Sequence, residues 1–191
     1  MNRRSPEQTR ERIEDAALKL FAERGFHGTS VPLIAKEAGV SSGALYRHWE
    51  NKEDLVNDLF SRRKQRFLGA IMEPIDFSRS AREVFRVFWT SAAVWARENP
   101  VDFTFLELHH HSAYLSSENQ QRDTMILDTA RTFLARTRDE GITLDLDPDV
   151  LAAIVWGMLT RLVQGGCQGS FVLDDELIIQ TEAIAWSAIR R

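Results

Sequence analysis

The chain has 191 residues, of which 43% are hydrophobic and 27% charged, and its formal net charge is −4. This composition is that of a soluble globular protein, and the acidic balance argues against a general nucleic-acid coat protein, which needs a broadly basic surface. The first residues lack the apolar segment of a signal peptide, and no stretch approaches the roughly 18 apolar residues of a membrane span. A single cysteine, Cys167, excludes an internal disulfide and fits a reducing cytoplasm.

The net charge conceals an asymmetry along the chain. Residues 1–52 carry 9 basic and 7 acidic side chains, whereas residues 53–191 carry 15 basic and 21 acidic ones. This distribution permits a DNA-binding protein whose basic charge lies at one end. Arg3 and Arg4 precede the first helix and could contact phosphates as a flexible arm, or they could form a solvated tail.

Helical signals run almost end to end, with no convincing alternating strand, so we predict an all-α fold. Ser5, Pro6 and Gln8 form a helix start with a capping box, and Gly25 ends the helix. Between them lies one apolar stripe, which we expect to be core: Ile13, Ala16, Ala17, Leu20 and Phe21.

A helix-turn-helix is predicted next. Ser30 is a good N-cap, and one apolar face follows at helical spacing, with Val31, Ile34, Ala35 and Ala38. Gly39 stands where a helix must end in a left-handed conformation. Ser41 is placed to cap a second short helix running through Leu45 to Trp49, the element that enters a DNA major groove. An ordinary helical hairpin would show the same turn.

The outward face predicted for the second helix favours DNA binding. Its residues are small, hydrogen-bonding or basic, with no acid among them: Ser42, Gly43, Ala44, Tyr46, Arg47 and His48. Only a few side chains on such a face can contact the edges of DNA bases. The Ala44 methyl group suits a thymine methyl, and Arg47 suits guanine.

These residues resemble the TetR family of bacterial transcriptional repressors. The pattern IA..AGVS.G.LY.H(aromatic)..K..L is matched over about the first third of the chain by Ile34, Ala35, Ala38, Gly39, Val40, Ser41, Gly43, Leu45, Tyr46, His48, Trp49, Lys52 and Leu55. The resemblance implies that Thr29, Tyr46, His48 and Lys52 hold the DNA backbone. Base reading then falls to Ser42, Gly43, Ala44 and Arg47. Pro32 departs from the family pattern, since many members carry a DNA-contacting Arg there.

The resemblance also implies two domains, a helix-turn-helix domain at 1–51 and a helical effector-binding and dimerisation domain at 52–191. Asn51 caps a helix that reaches about residue 73, and further helices are predicted at about 80–99, 101–111, 117–140, 148–165 and 174–190. The last two have too much apolar surface for one buried side. They form either a central core or a subunit interface, and the resemblance favours a homodimer, with Ile184 and Trp186 as candidates for the seam.

Aromatic residues are concentrated in the second part of the chain. Most must be core, but rigid aromatic side chains with a few polar neighbours also describe a pocket for a small apolar or aromatic effector. We predict the ligand-binding residues Phe67, Phe88, Trp89, Phe105, His109 and Trp156. The alternative is a dry aromatic core.

No motif of an enzyme or cofactor site is found, so we expect neither activity nor cofactor. Asp145, Asp147 and Asp149 precede a helix, where caps are expected. His109, His110 and His111 point three ways on a helix and cannot bind one ion together. Glu107 with one of the last two could form a two-ligand site, but we expect no metal. Cys167 lies in GGCQG, interpreted as an exposed loop.

The sequence therefore predicts a cytoplasmic, ligand-responsive regulator, expected to be a repressor, without membrane association. It would bind a palindromic double-stranded DNA operator as a homodimer and release it when a small molecule binds. The alternative is a helical ligand- or partner-binding protein whose helix-turn-helix is only structural.

Overall fold

The structure, a computed structural model, describes residues 5–107 and 113–191, except for the side chains of 122, 123 and 126. Within these ranges the secondary structure is helical, with one isolated antiparallel bridge between Thr143 and Arg190. The predicted all-α fold is confirmed. The helices are α1 Pro6–Arg24, α2 Val31–Ala38, α3 Ser42–Leu45, α4 Lys52–Met72, α5 Ala81–Glu98, α6 Pro100–Glu107, α7 Ser117–Asp139, α8 Pro148–Cys167 and α9 Asp175–Ile189.

Local hydrogen bonds account for most helix ends. The Ser5–Gln8 capping box opens α1, and a second capping box, Ser80–Glu83, opens α5. Asn51 accepts the Asp54 N–H at 2.8 Å at the start of α4. Such caps satisfy the backbone N–H groups that the first helical turn leaves without partners.

Gly39 adopts the predicted left-handed conformation, with φ 62° and ψ 43°. Two other predictions were wrong in detail. The helix after Ser41 stops at Leu45, and a turn follows instead of a helix to Trp49. Cys167 ends α8, since that helix continues past Gly165. Ser30 and Ser41 occupy the N-cap positions without a side-chain capping bond.

The chain forms two units. The first comprises Met1–Lys64 with Val101–Gln120, and the second comprises Gln65–Pro100 with Gln121–Arg191, so α4 contributes to both. The predicted domain boundary between residues 51 and 52 stays a prediction, since units defined by contacts need not coincide with functional domains.

In the first unit, α2 packs on α1 and α3 packs on both. The buried face of α2 consists of Ile34, Ala35 and Ala38, as predicted. Phe105 stacks on Phe21 at 6.1 Å between ring centroids and meets Phe60 edge-on at 6.4 Å. Aromatic side chains of α1, α4 and α6 thus form a core that supports the helix-turn-helix.

In the second unit, α5 packs against α8 and α9. Its core is also aromatic, with Phe85 and Trp186 at 5.2 Å between ring centroids and Phe67 and Trp95 at 4.7 Å. Trp186 is buried, so it belongs to the core of its own subunit. The loop after α7 is fastened to the end of α9, where the Leu144 N–H donates to the Ile189 carbonyl at 2.8 Å.

Candidate nucleic-acid interface

The second helix of the helix-turn-helix and the turn after it present a short polar surface. Gly43 and Arg47 are exposed, Tyr46 is 54% exposed, and Ser42 and His48 are half-buried. No ion pair in the described part of the chain occupies the Arg47 guanidinium. This surface offers hydroxyl, imidazole and guanidinium donors, the groups that contact phosphates and base edges.

Ala44 does not belong to that surface. It is 4% exposed and points inward together with Leu45, which is fully buried. The prediction that its methyl group faces outward was wrong. A helix of one turn has too few residues for periodicity to separate an inner from an outer face.

Thr29 is buried at the turn between α1 and α2. Its hydroxyl donates to the carbonyls of Gly25 at 2.9 Å and Leu20 at 3.1 Å. These two bonds fix the path of the chain into α2. In this structure the Thr29 hydroxyl, which was predicted to contact a phosphate, is therefore hydrogen-bonded to backbone carbonyls of the protein.

Lys52, at the start of α4, forms hydrogen bonds to the same turn between α1 and α2. Its Nζ donates to the carbonyls of Phe26 and Thr29, both at 2.9 Å, and lies 3.9 Å from the centre of the Phe26 ring. A lysine ammonium has three donors, so two are used here and one remains. The side chain ties α4 to the α1–α2 turn, and these two bonds leave one of its N–H donors unused.

An amide cluster links α4 to the segment 113–120 within the first unit. The Asn57 side chain donates to the Tyr114 carbonyl at 2.9 Å and accepts the Ser116 N–H at 2.7 Å. The buried Asn119 amide donates to the backbone carbonyl and the side-chain oxygen of Asn57, both at 2.9 Å. We call Asn57, Tyr114, Ser116 and Asn119 the amide clamp.

The amide clamp contacts the helix-turn-helix domain through the Tyr114 ring. Tyr114 stacks on Phe26 with 4.1 Å between ring centroids, and Phe26 also contacts Phe21, His27 and the Lys52 ammonium. Displacement of Tyr114 would therefore change the packing of the turn that leads into α2. No local sequence pattern signals this route, because Asn57 and Asn119 are 62 residues apart.

A network of ion pairs joins α1 to α4 beside the end of the helix-turn-helix. Arg10 pairs with Glu14 at 2.8 Å and Asp58 at 2.6 Å, and Arg62 pairs with the same two acids. The Trp49 indole N–H donates to Asp58 at 3.0 Å. Burial raises the pKa of Asp58, but the bonds from Trp49 and Arg10 and the Arg62 charge outweigh it and hold that pKa below its usual value.

The residues predicted to bind a ligand lie in different surroundings. Phe105 is fully buried in the core of the first unit. Phe67 and Phe88 each pack against Trp156 in the second unit, at 6.1 and 6.4 Å between ring centroids. His109 lies outside the described residues. The predicted ligand-binding set therefore stays a prediction.

The second unit contains an open pocket of about 660 Å³ between α5, α8 and α9. Trp89, one of the predicted ligand residues, lines it, together with Met158, Arg161, Leu162, Phe171 and Ile184. The Phe171 ring rests on Gly165, where an added Cβ would lie 2.7 Å from the ring. Arg161 also lines the pocket, although nothing in its local sequence distinguishes it from any other surface arginine.

Trp89 is 1% exposed, and its indole N–H has no hydrogen-bond partner in the part of the chain that the structure describes. An unpaired buried donor costs roughly 1–3 kcal/mol. Buried tryptophans usually find an acceptor, so this N–H needs an explanation.

The other candidate chemical groups are unremarkable where they can be described. Cys167 is exposed at the end of α8, and partial burial raises the pKa of its thiol, away from the thiolate that a redox sensor needs. Asp147 caps α8 by accepting the Asp149 N–H at 2.8 Å, as predicted. Within residues 5–107 and 113–191 no three His, Cys, Asp or Glu side chains form a metal-binding group. The histidines at 109–111 lie outside those ranges.

Two family descriptions together match nearly the whole chain. "Bacterial regulatory proteins, tetR family" matches residues 13–59, and "Tetracyclin repressor-like, C-terminal domain" matches residues 60–191. Among solved structures, a TetR family transcription regulator from Marinobacter aquaeolei VT8 is 29% identical, with a TM-score of 0.79 and 96% of each chain covered.

Curated relatives match a shorter part. The fatty acid metabolism regulator protein of Bacillus subtilis is 39% identical over 71 residues, 37% of each chain. The HTH-type transcriptional regulator UidR of Escherichia coli K12 is 40% identical over 68 residues, 36% of this chain and 35% of UidR. The chain thus spans little more than a third of the length of these relatives. The family descriptions cover far more, and they show that the chain is a helix-turn-helix transcriptional regulator and belongs to the TetR family.

Proposed function

We propose that this regulator is a repressor that binds a palindromic operator as a homodimer and releases it when a small molecule binds. The observation that carries the proposal is the exposed polar surface formed by α3 and the turn after it. It contains the exposed Tyr46 and the exposed Arg47, whose guanidinium forms no ion pair with the residues that the structure describes, on a helix-turn-helix fastened to α1 and α4. Phosphate contacts supply most of the affinity, and few side chains read bases.

The apolar surface of α8 and α9 supports a homodimer. Val150 and Ile154 on α8 are 48% and 38% exposed, and Ile179 and Ile184 on α9 are 63% and 64% exposed. Large apolar side chains clustered on two neighbouring helices mark an association surface. A two-fold dimer through α8 and α9 buries them and presents two reading surfaces to one operator.

The same surface accounts for the composition of α8. In the described part of the chain it is the helix long and apolar enough to cross a membrane, with a mean hydropathy of 1.4 over its most apolar stretch. A subunit interface explains this composition without a lipid phase. We therefore place the protein in the cytoplasm, where it acts on DNA and not as an enzyme.

The amide clamp suggests how release begins. It ties the segment 113–120 to Asn57 on α4, and Tyr114 from that segment packs on Phe26 beside the turn into α2. An effector that shifts α6 or the start of α7 would disturb this packing. It changes operator affinity only through its difference in affinity for the DNA-binding and released forms. Coupling of about 1–3 kcal/mol changes operator affinity roughly 5- to 150-fold.

The test starts from the DNA flanking the chain's own gene, by gel shift and footprinting. We expect protection of two symmetric half-sites with centres about one helical turn, or a multiple of it, apart. Placing that DNA ahead of a reporter should lower transcription. Protection of one asymmetric half-site would contradict the dimer, and a rise in transcription would contradict repression. Failure to bind any DNA would favour the structural helix-turn-helix.

A further inference from the structure

We propose that Asp58 and Trp49 are positioning residues for DNA binding. The Asp58 carboxylate fixes the Trp49 indole, and this ring holds the His48 side chain in place for an operator phosphate. The proposal rests on the proposed function in one respect, because it assigns His48 to the operator. Trp49 is 5% exposed, so it acts through its neighbour and not by touching DNA itself.

The segment 46–51, which we call the reading turn, needs an anchor. It lies between α3 and α4 and is not helical. The His48 and Trp49 N–H groups both donate to the Leu45 carbonyl, at 2.9 and 3.2 Å. Within residues 46–51, all of which the structure describes, Trp49 has the buried side chain. The position of the reading turn therefore depends on how the Trp49 indole is held.

The indole is held by a hydrogen bond and by a cation. Its N–H donates to Asp58 Oδ2 at 3.0 Å, and Arg10 donates to the same oxygen at 2.6 Å. The Arg10 guanidinium lies 5.3 Å from the centre of the Trp49 ring, a distance typical of cation–π contacts. Asp58 Oδ1 accepts from Arg62 at 3.0 Å, so both oxygens of the carboxylate are fixed. Together these contacts restrict rotation of the Trp49 ring.

The restricted ring contacts His48. The centroids of the His48 and Trp49 rings are 5.5 Å apart, with 52° between their planes. His48 is half-buried, so part of its side chain reaches solvent. An imidazole N–H can donate to a phosphate oxygen. A side chain that is ordered before DNA binds loses less conformational entropy on binding. The Asp58–Trp49 bond should therefore raise operator affinity although neither residue contacts DNA.

The experiment measures operator affinity of the full-length protein on the footprinted DNA that flanks its own gene. Trp49→Phe keeps an aromatic ring but removes the N–H, and Asp58→Leu removes both acceptor oxygens. Each should weaken binding about 3- to 10-fold, the equivalent of one lost hydrogen bond. Asp58→Asn keeps one acceptor oxygen and should bind more tightly than Asp58→Leu. Trp49→Phe leaves every ion pair of the network in place, so it carries the test if Asp58→Leu does not fold.

Arg62→Gln is the matched control for loss of an ion pair. Arg62 pairs with Glu14 and Asp58 but donates no bond to Trp49. Its loss should leave operator affinity unchanged. If Arg62→Gln weakens operator binding as much as Trp49→Phe does, the whole network sets the affinity and Trp49 has no special role.

A double-mutant cycle tests the route through His48. In the His48→Ala background, Trp49→Phe should weaken operator binding by less than about 2-fold, because the side chain that it positions is absent. In the Arg47→Ala background, the full loss should remain. A loss that persists in full without His48 would overturn the proposal, and so would a loss that disappears in both backgrounds.

A second readout needs no DNA. In proton–carbon spectra of the imidazoles, the His48 signal is assigned by its absence in His48→Ala. Asp58→Leu keeps the Trp49 ring but releases it, so the ring current at His48 should change and its signal should shift. The signal of His27, which packs against Phe26, should stay in place. An unchanged His48 signal would show that Asp58 does not position this side chain.

A purely structural bond gives a different pattern. Trp49→Phe and Asp58→Leu would then lower the free energy of unfolding and leave the operator affinity of the folded protein unchanged, which would overturn the proposal. Wild-type operator binding without coupling between Trp49 and His48 keeps the proposed function and removes this inference. If the wild type binds no DNA, the proposed function fails, and with it the role of His48 at a phosphate.

Discussion

The two units of this protein are held together by different interactions. In the first, polar groups bridge the helices. Besides the Arg10 network and the amide clamp, Arg63 pairs with Asp102 at 3.2 Å and the buried Lys64 pairs with Glu107 at 2.8 Å. In the second, aromatic rings on α5, α8 and α9 fill the core, and the described ion pairs between helices each have a half-buried or exposed partner: Arg82–Glu182, Arg97–Asp175 and Arg131–Asp149.

The difference corresponds to what each unit must do. Hydrogen bonds and ion pairs have narrow geometry, so these polar bridges hold α1, α4 and α6 in one arrangement beside the helix-turn-helix. Apolar contacts are not directional, and they leave exposed isoleucines and an open pocket that other molecules can cover. The first unit is thus built to hold one arrangement, and the second to accept partners.

The largest effect should come from the apolar surface of the second unit. Ile184→Glu places a charge on the proposed dimer surface, where it would be buried without a partner, so we expect monomers. Operator affinity should then fall about 10²- to 10⁴-fold, because two linked half-site contacts become separate events. Light scattering gives the mass and gel shift gives the affinity.

The control for this substitution is Leu127→Glu, which charges a 50% exposed leucine on α7, outside the two helices of the proposed dimer surface. It should remain dimeric and bind the operator normally. A wild-type protein with the mass of one chain at micromolar concentration would defeat the dimer, and equal losses from both variants would show a general effect of charge.

The second-largest effect is a loss of operator affinity when the polar surface of the first unit is changed. Arg47→Ala should leave thermal stability unchanged, since its side chain is exposed and makes no ion pair in the described part of the chain. If Arg47 reads a base, the loss in operator affinity should be about 1–3 kcal/mol and confined to one operator position. Binding to a set of single-position operator variants measures this, and a uniform loss across the set would make Arg47 a phosphate contact.

How much of this structure can be predicted from the sequence depends on how far apart in the chain the interacting residues are. The Ser5–Gln8 capping box and the left-handed Gly39 are set by neighbours within a few residues, and both were confirmed. The amide clamp and the Arg10–Asp58 pair join residues far apart in the chain, and nothing local signals them. The same limit applies to the pocket, whose lining comes from three helices.

The resemblance identified residues but not the atoms they use. It assigned Thr29 and Lys52 to the DNA backbone, whereas the structure shows the Thr29 hydroxyl and two of the three Lys52 donors bonded to carbonyls of the fold. Aromatic residues posed a similar problem, because core packing and ligand contact require the same side chains. Phe105 and Phe67 accordingly lie in the cores of different units.

A smaller effect is expected at Lys52, where the polar bridges meet the DNA-reading surface. Lys52→Met keeps most of the stem but removes the bonds to the Phe26 and Thr29 carbonyls, so the free energy of unfolding should fall by about 1–2 kcal/mol. If the third donor contacts a phosphate, the slope of log affinity against log salt should fall by about 0.9. Denaturant unfolding and salt titration measure the two roles separately. Lys36→Met, an exposed lysine on α2, is the stability control, and unchanged stability of Lys52→Met would remove the structural role.

The smallest effect tests the ion-pair network through its pH dependence. The pKa of Asp58 is lowered in the folded protein, so its stabilisation is present above the unfolded value of about 3.9 and is lost as pH falls through the folded pKa. Asp58→Asn should therefore lower the free energy of unfolding by at most about 1 kcal/mol at pH 7, because the network is partly solvated. The difference between wild type and variant should shrink below about pH 4 as the wild-type carboxylate becomes protonated. Asp15→Asn, whose exposed carboxylate lies 3.7 Å from Arg63, is the matched control on α1 and should change little at either pH. A difference at Asp58 that is constant from pH 7 to pH 3 would show that shape and hydrogen bonding, not charge, hold α1 to α4.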